Sequence, residues 1–155
     1  MSRRISTKKR FPQKDFNYDN FLVSLLVNRI LKKGKKQLAR RIVYKALINI
    51  KEKTKENPLI ILEKAIRNIS PRVQLKAKRV RGATYQVPVL LTRFRSTNTA
   101  IRWIIEGSNK RGQKRMYLKL SNELLEAAKN LGHAYRKKEE IHKIANANKA
   151  FARYR

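Results

Sequence analysis

Cysteine is absent from the sequence. Disulfides, thiolate metal sites and cysteine nucleophiles are thereby excluded. Acidic side chains are scarce, ten Asp and Glu in 155 residues, and most fall on expected helix surfaces. Paired-carboxylate catalysis has little to draw on. Histidine occurs twice, at His133 and His142. Their spacing matches no metal motif, and neither stands in a carboxylate–nucleophile arrangement. The five glycines form no phosphate-binding fingerprint. No run approaches the ~20 apolar residues of a membrane span. The start, MSRRISTKKR, lacks the apolar centre of a secretory signal. These gaps leave no catalytic constellation and no cofactor or metal site. We expect neither an enzyme nor a membrane protein.

What the sequence has in excess is positive charge. Forty Lys and Arg set a net charge of +30 at pH 7, whereas solubility needs only about 2–8 in a small domain. So many like charges repel one another and cost stability. A polyanion relieves the repulsion, and nucleic acid offers the densest row of negative charge. At 41% hydrophobic the chain still has enough apolar material for a core. With no internal repeat, it reads as one domain over 1–155. A basic extension (1–14) and a basic tail (149–155) flank it.

The periodicity predicts a mainly α fold. A first helix starts near Asp19, an N-cap candidate, with Tyr18, Phe21, Leu22, Leu25 and Leu26 on one face. It ends before Gly34. A second helix covers about 36–53, with Leu38, Ala39, Ile42, Val43, Ala46, Leu47 and Ile50 inward. Asn57-Pro58 gives N-cap and first helical residue to a third helix, which Ser70-Pro71 stops. A fourth helix is expected over 97–109, carrying Ile101, Ile104 and Ile105, with Trp103 in or near the core. The fifth has Leu120, Leu124, Ala127, Ala128 and Leu131 inward and Gly132 as its C-terminal cap. The sixth covers about 134–151.

Between the third and fourth helices the period changes from 3.6 to two. Val73, Leu75 and Ala77 alternate with Gln74, Lys76 and Lys78; Tyr85, Val87 and Val89 alternate with Gln86 and Pro88. Gly82 supplies the turn. This is a two-stranded β-hairpin over about 72–91, protruding from the helices, and one so small must lean on them or on a ligand.

The basic residues cluster. Arg3, Arg4, Lys8, Lys9, Arg10 and Lys14 load the first fourteen positions without an acid. Lys32, Lys33, Lys35 and Lys36 surround the first helical turn. They suit either the helix C-terminal dipole or an RNA backbone. Residues 72–115 hold twelve bases (Arg72, Lys76, Lys78, Arg79, Arg81, Arg93, Arg95, Arg102, Lys110, Arg111, Lys114, Arg115) against Glu106 alone, a local net charge of +11. A ribbon carrying Lys76 and Lys78 on one side and Arg79 and Arg81 at its tip can lie along RNA with its cations on phosphates. Tyr85 either packs across the ribbon or stacks on an unpaired base, with Gln86 beside it. His142, Lys149, Arg153, Tyr154 and Arg155 complete the candidate RNA-facing set. A DNA-bending protein with a basic ribbon and a nucleic-acid-modifying enzyme are the rival classes. The second needs a catalytic cluster that the sequence does not show.

Three stretches carry a resemblance. RVRGATYQVPV (79–89), AIRWIIEGSNKR (100–111) and KKEEIHKIANANKAFARYR (137–155) resemble the hairpin, following helix and C-terminal segment of ribosomal protein seven of the small subunit. VNRILKKGKKQLARRIVYKAL (27–47) and the MSRR start also fit. The resemblance runs in order along nearly the whole chain. It implies a helical body with a protruding β-ribbon. It also implies direct binding to the 3′ major domain of small-subunit rRNA and early organisation of the subunit head. It further implies a place near the exit-site tRNA and the mRNA exit, with Arg81, Gly82, Tyr85 and Gln86 on the part pointing there. Neighbouring proteins of head and platform are implied partners, and no homo-oligomer is expected. Many members have two glycines in the hairpin turn where this chain has Arg81-Gly82, which leaves the turn type open. The two ends and the abundance of Lys, Ile and Asn look like plastid members, and place the protein in ribosomes of the plastid stroma. Bacterial cytoplasm or a mitochondrion is the alternative.

Overall fold

A computed structural model describes residues 12–80 and 82–154. The chain forms six helices and one hairpin: α1 (Phe21–Ile30), α2 (Lys36–Thr54), α3 (Pro58–Ile69), β1 (Val73–Val80), β2 (Ala83–Leu90), α4 (Arg93–Lys110), α5 (Met116–Ala128) and α6 (His133–Ala147). A short 3-10 segment, Lys149–Tyr154, ends the described chain.

α5 is the central packing element and contacts α2, α3, α4 and α6. Leu120 and Leu124 on its inner face are fully buried. They meet one core that includes Leu26, Leu47, Ile50, Leu62, Ile69, Ile101 and Ile104, with Trp103 at its margin. A buried Leu or Ile contributes about 1.5–3 kcal/mol relative to exposure, so these residues hold the body together despite its charge.

Helix boundaries follow local chemistry. Asn20, not Asp19, caps α1: its Oδ1 accepts from the Leu22 N–H at 2.7 Å. Asp19 has φ +42 and sits one residue outside the helix. Asn57 caps α3 as expected, accepting from the Leu59 N–H at 3.0 Å with Pro58 at the first helical position. α4 starts at Arg93, four residues before the expected start. The added turn is Arg93 to Ser96, where the Ser96 hydroxyl donates to the Pro71 carbonyl at 2.7 Å. Thr97, Asn98 and Thr99 each donate to the carbonyl four residues back, at 3.1, 2.9 and 2.9 Å, so their polar groups are satisfied within the helix.

Gly132 does not cap α5. It is the N-cap of α6. The left-handed residue after α5 is Asn130, with φ +61. The Leu131 N–H reaches the Glu126 carbonyl at 2.8 Å and the Asn130 N–H reaches Ala127 at 3.1 Å. That pair of bonds is a Schellman closure built on Asn rather than Gly. Leu131 consequently points out, 59% exposed, and Leu38 on α2 is 50% exposed; both were expected inside. α6 ends at Ala147, short of 151, and the chain tightens into the 3-10 segment.

The hairpin has a two-residue turn, and Gly82 takes φ +86 there, a conformation open to glycine at little cost. The register pairs Lys76 with Val87 and Lys78 with Tyr85. Directly paired residues share a face. The apolar rows of the two strands therefore face opposite ways. Val87, 1% exposed, and Tyr85 turn to one side. Val73 and Leu75 turn to the other. The ribbon has no single apolar face. α6 packs on β1, and the 3-10 segment packs on β2. There the Tyr85 and Phe151 rings lie 4.8 Å apart.

Candidate nucleic-acid interface

Three groups of predicted cations are on the described surface. The first is on the ribbon. Lys76, Lys78 and Arg79 are exposed along β1, and Gln86 and Gly82 are exposed on β2 and the turn. Arg81 lies outside the described residues. Tyr85 is half-buried, with its ring against that of Phe151 in the tail.

The second group sits where the ribbon meets the body. A groove of about 1060 Å³ runs between α3, the hairpin base and the start of α4. Arg72 and Arg93 line it, and so do Lys64 and Arg67 of α3, which the sequence reading did not single out. Their signal was their place on the outer face of an amphipathic helix opposite Leu62 and Ile66. Arg93 and Arg95 occupy the first turn of α4, which has no side-chain cap and no acid. Cations at the positive end of a helix dipole are unfavourable alone; a phosphate between them reverses the sign. Arg102 is exposed further along α4.

The third group joins segments far apart in sequence. Lys32, Lys33, Lys35 and Lys36 are all exposed in the α1–α2 turn. The first three, with Arg29, rim a 440 Å³ groove floored by Ile30, Leu38, Ile42, Ile105 and Met116. Asn109 also lines it, so the residues on either side of the α4–α5 loop, Asn109 and Met116, both border that groove. Lys114 and Arg115 are exposed in the loop, and Arg115 donates to the Tyr117 hydroxyl at 3.3 Å.

Other predicted contacts are engaged within the fold. Arg111 is held by Glu123 and Glu126, so its guanidinium is directed inward rather than to a ligand. Lys110 Nζ lies 2.6 Å from His133 Nε2 and 3.9 Å from Glu106. His142 Nε2 accepts from the Arg72 N–H at 3.3 Å, tying α6 to the hairpin base. Burial first, then Lys138 and Arg72, lowers the His142 pKa from its ordinary value, against a smaller opposite effect of Glu139. Neutral His142 keeps that acceptor. Lys149 is exposed in the 3-10 segment. Arg153 and Tyr154 belong to that segment, but their side chains lie outside what is described. Arg3, Arg4, Lys8, Lys9, Arg10 and Arg155 also lie outside the described residues.

Among the described residues no three His, Cys, Asp or Glu gather as metal ligands. No helix among them is long and apolar enough to cross a membrane. The surface offers what phosphates need: forked and point cations on a rigid body, spread over several faces.

Comparison with known proteins agrees with the geometry. The chain is 53% identical over 144 residues to the small ribosomal subunit protein uS7c of Trieres chinensis, covering 93% of this chain and 91% of that protein. It is 50% identical over 155 residues to uS7c of Prototheca wickerhamii, covering 100% and 99%. Residues 1–149 match the family described as Ribosomal protein S7p/S5e. The chain is a ribosomal protein and belongs to that family.

Proposed function

We propose that this chain is a structural constituent of the small subunit of a plastid ribosome and binds the 3′ major domain of its rRNA directly. In this reading it organises the subunit head early in assembly. It lies near the exit-site tRNA and the mRNA exit, with the ribbon directed there. Neighbouring head and platform proteins complete its surroundings. The names of its relatives support the small-subunit assignment.

The observation that carries the reading is the hairpin with its base. Residues 72–93 hold six cations and no acid, and the exposed ones line the ribbon and the groove beneath it. Phosphate contacts position the protein, and folded RNA shape supplies most of the specificity. The helical body presents these cations from rigid elements, so little order has to be gained on binding.

The test is titration of the purified protein with the isolated 3′ major domain of small-subunit rRNA. With about six to ten phosphates engaged, affinity falls by about 10³–10⁵ between 50 and 200 mM salt. A duplex DNA of equal length competes weakly. A shallow salt response, or equal affinity for the duplex, overturns the assignment.

A further inference from the structure

Arg111 stands in a basic loop of a protein built to bind a polyanion, yet it faces two carboxylates. Its Nε and Nη2 donate to Glu123 Oε2 at 2.8 and 2.6 Å. Nη1 donates to Glu126 Oε1 at 2.9 Å, and Nη2 also donates to Glu126 Oε2. Glu123 is fully buried. Its second oxygen accepts from the Ala134 N–H at 3.0 Å, in the first turn of α6. One carboxylate thus joins the end of α4, the middle of α5 and the start of α6. Space is reserved for it: a Cβ built on Gly107 of α4 would stand 2.6 Å from Glu123 Oε1. Arg111 holds the Glu126 pKa below its ordinary value, chiefly through the hydrogen bond.

The loop that follows needs such a tie. Residues 112–115 are all exposed and include Lys114 and Arg115. Asn109 and Met116, which flank the loop, line one groove with Lys32, Lys33 and Lys35 of the α1–α2 turn. The loop's cations thus extend from one end of a groove whose other side already carries lysines, and like charges repel. The Arg111 ion pairs fix the start of the loop to α5 from inside the fold. The planar fork of arginine makes four hydrogen bonds to the two carboxylates, more than the three donors of an ammonium group supply and in a fixed plane.

We propose that Arg111 is a positioning residue and not an RNA contact: the Glu123–Arg111–Glu126 clamp sets the α4–α5 loop so that Lys114 and Arg115 meet phosphate. The proposal rests on the rRNA-binding reading above. It carries an unusual sign. Removing a carboxylate from a polyanion-binding protein should tighten binding by simple electrostatics. Here it loosens binding.

Two substitutions test it, Arg111→Lys, which keeps the charge and loses the fork, and Glu126→Gln, which raises the net charge by one. Each is made in the wild-type chain and in a Lys114→Ala/Arg115→Ala chain, with Trp103 fluorescence and a thermal melt as fold controls. We expect each to weaken rRNA affinity about five- to sixty-fold at 0.1 M salt, the worth of one or two phosphates, and to flatten the salt slope by about 1–2. In the chain lacking Lys114 and Arg115, the same substitutions change affinity less than about twofold, because their effect passes through those side chains. Tighter or unchanged binding by Glu126→Gln overturns the proposal, and so does full additivity with the loop substitutions. If loss of Lys114 and Arg115 costs the wild-type chain nothing, the loop is not at the interface and the proposal also falls. Failure of the unaltered protein to prefer rRNA would instead overturn the functional reading itself.

Discussion

Replacing Lys76, Lys78 and Arg79 together by Gln isolates the ribbon. All three are exposed, and substitutions at such sites usually shift stability by no more than about 0.5 kcal/mol. Their register partners Val87, Tyr85 and Thr84 remain, so the strand pairing is kept. If each cation neutralises one phosphate, the salt slope falls by about 0.7–0.9 per residue. Three contacts lower it by about 2–3. At 0.1 M salt that corresponds to a loss of about 100- to 500-fold, provided the salt-independent part of binding is untouched. The assay is filter binding or fluorescence anisotropy with the 3′ major domain at five salt concentrations from 50 to 300 mM. The lines for the two proteins should converge toward 1 M salt, because only the counterion-release component differs. Parallel lines would mean that the lost affinity came from shape or distortion, not charge. Coincident lines would mean that β1 does not touch RNA.

Two further predictions concern the body. Leu124→Ala empties a fully buried position on α5 and should cost about 2–5 kcal/mol in urea unfolding; a cost under about 0.5 would contradict the central place given to α5. Glu126 and Glu106 have pKa values below the ordinary 4.5, lowered first by hydrogen bonds from Arg111 and Lys137 respectively. A carboxylate with a depressed folded pKa contributes stability that is present above its unfolded value and is lost as pH falls through the folded one. The urea midpoint should thus hold from pH 7 to about 5 and drop below about 4.5; a flat profile to pH 3 would remove the ion pairs from the account.

The helical periodicity was enough to locate every helix, because apolar rows such as Leu47 and Ile50, or Leu62, Ile66 and Ile69, repeat over several turns. What it did not convey was set by short-range polar chemistry and by register. Arg93 to Ser96 fall outside the expected fourth helix because the bonds that fix its first turn, from the Ser96 amide to the Thr92 carbonyl and from the Ser96 hydroxyl to the Pro71 carbonyl, leave no mark in a linear pattern. Asn130 takes the role expected of Gly132 because both can take positive φ and only the closing bonds decide which one ends α5. The hairpin is more instructive. Val73, Leu75 and Ala77 look like the partners of Tyr85, Val87 and Val89, yet a two-residue turn at 81–82 pairs odd positions with even ones. The two rows cannot share a face. The interface was legible as charge and not as geometry. Lys32, Lys33 and Lys35 share one groove with Asn109 and Met116, which flank the loop of Lys114 and Arg115, and no linear pattern shows that neighbourhood. Arg111 looks like its neighbours until Glu123 is seen to be buried.

The placement of the few acids explains how a chain of net charge +30 keeps a fixed shape. Ion pairs at Glu106, Glu123 and Glu126 gather where α4, α5 and α6 meet, and internal attraction is strongest there. Lys137 and Lys110 are drawn to Glu106, so part of the positive charge is spent on the body. Residues 72–93 have no acid at all. The ribbon is held instead by contacts that neutralise nothing: buried Val87, the Tyr85–Phe151 pair and the His142 hydrogen bond to the Arg72 amide. Those contacts fix direction while leaving the cations unspent. A carboxylate among them would steady the ribbon and in the same act cancel one of its positive charges. The body can bear ion pairs because its arginine and lysines there serve position; in the proposed rRNA-binding reading the ribbon cannot, because its cations are the ones that meet phosphate.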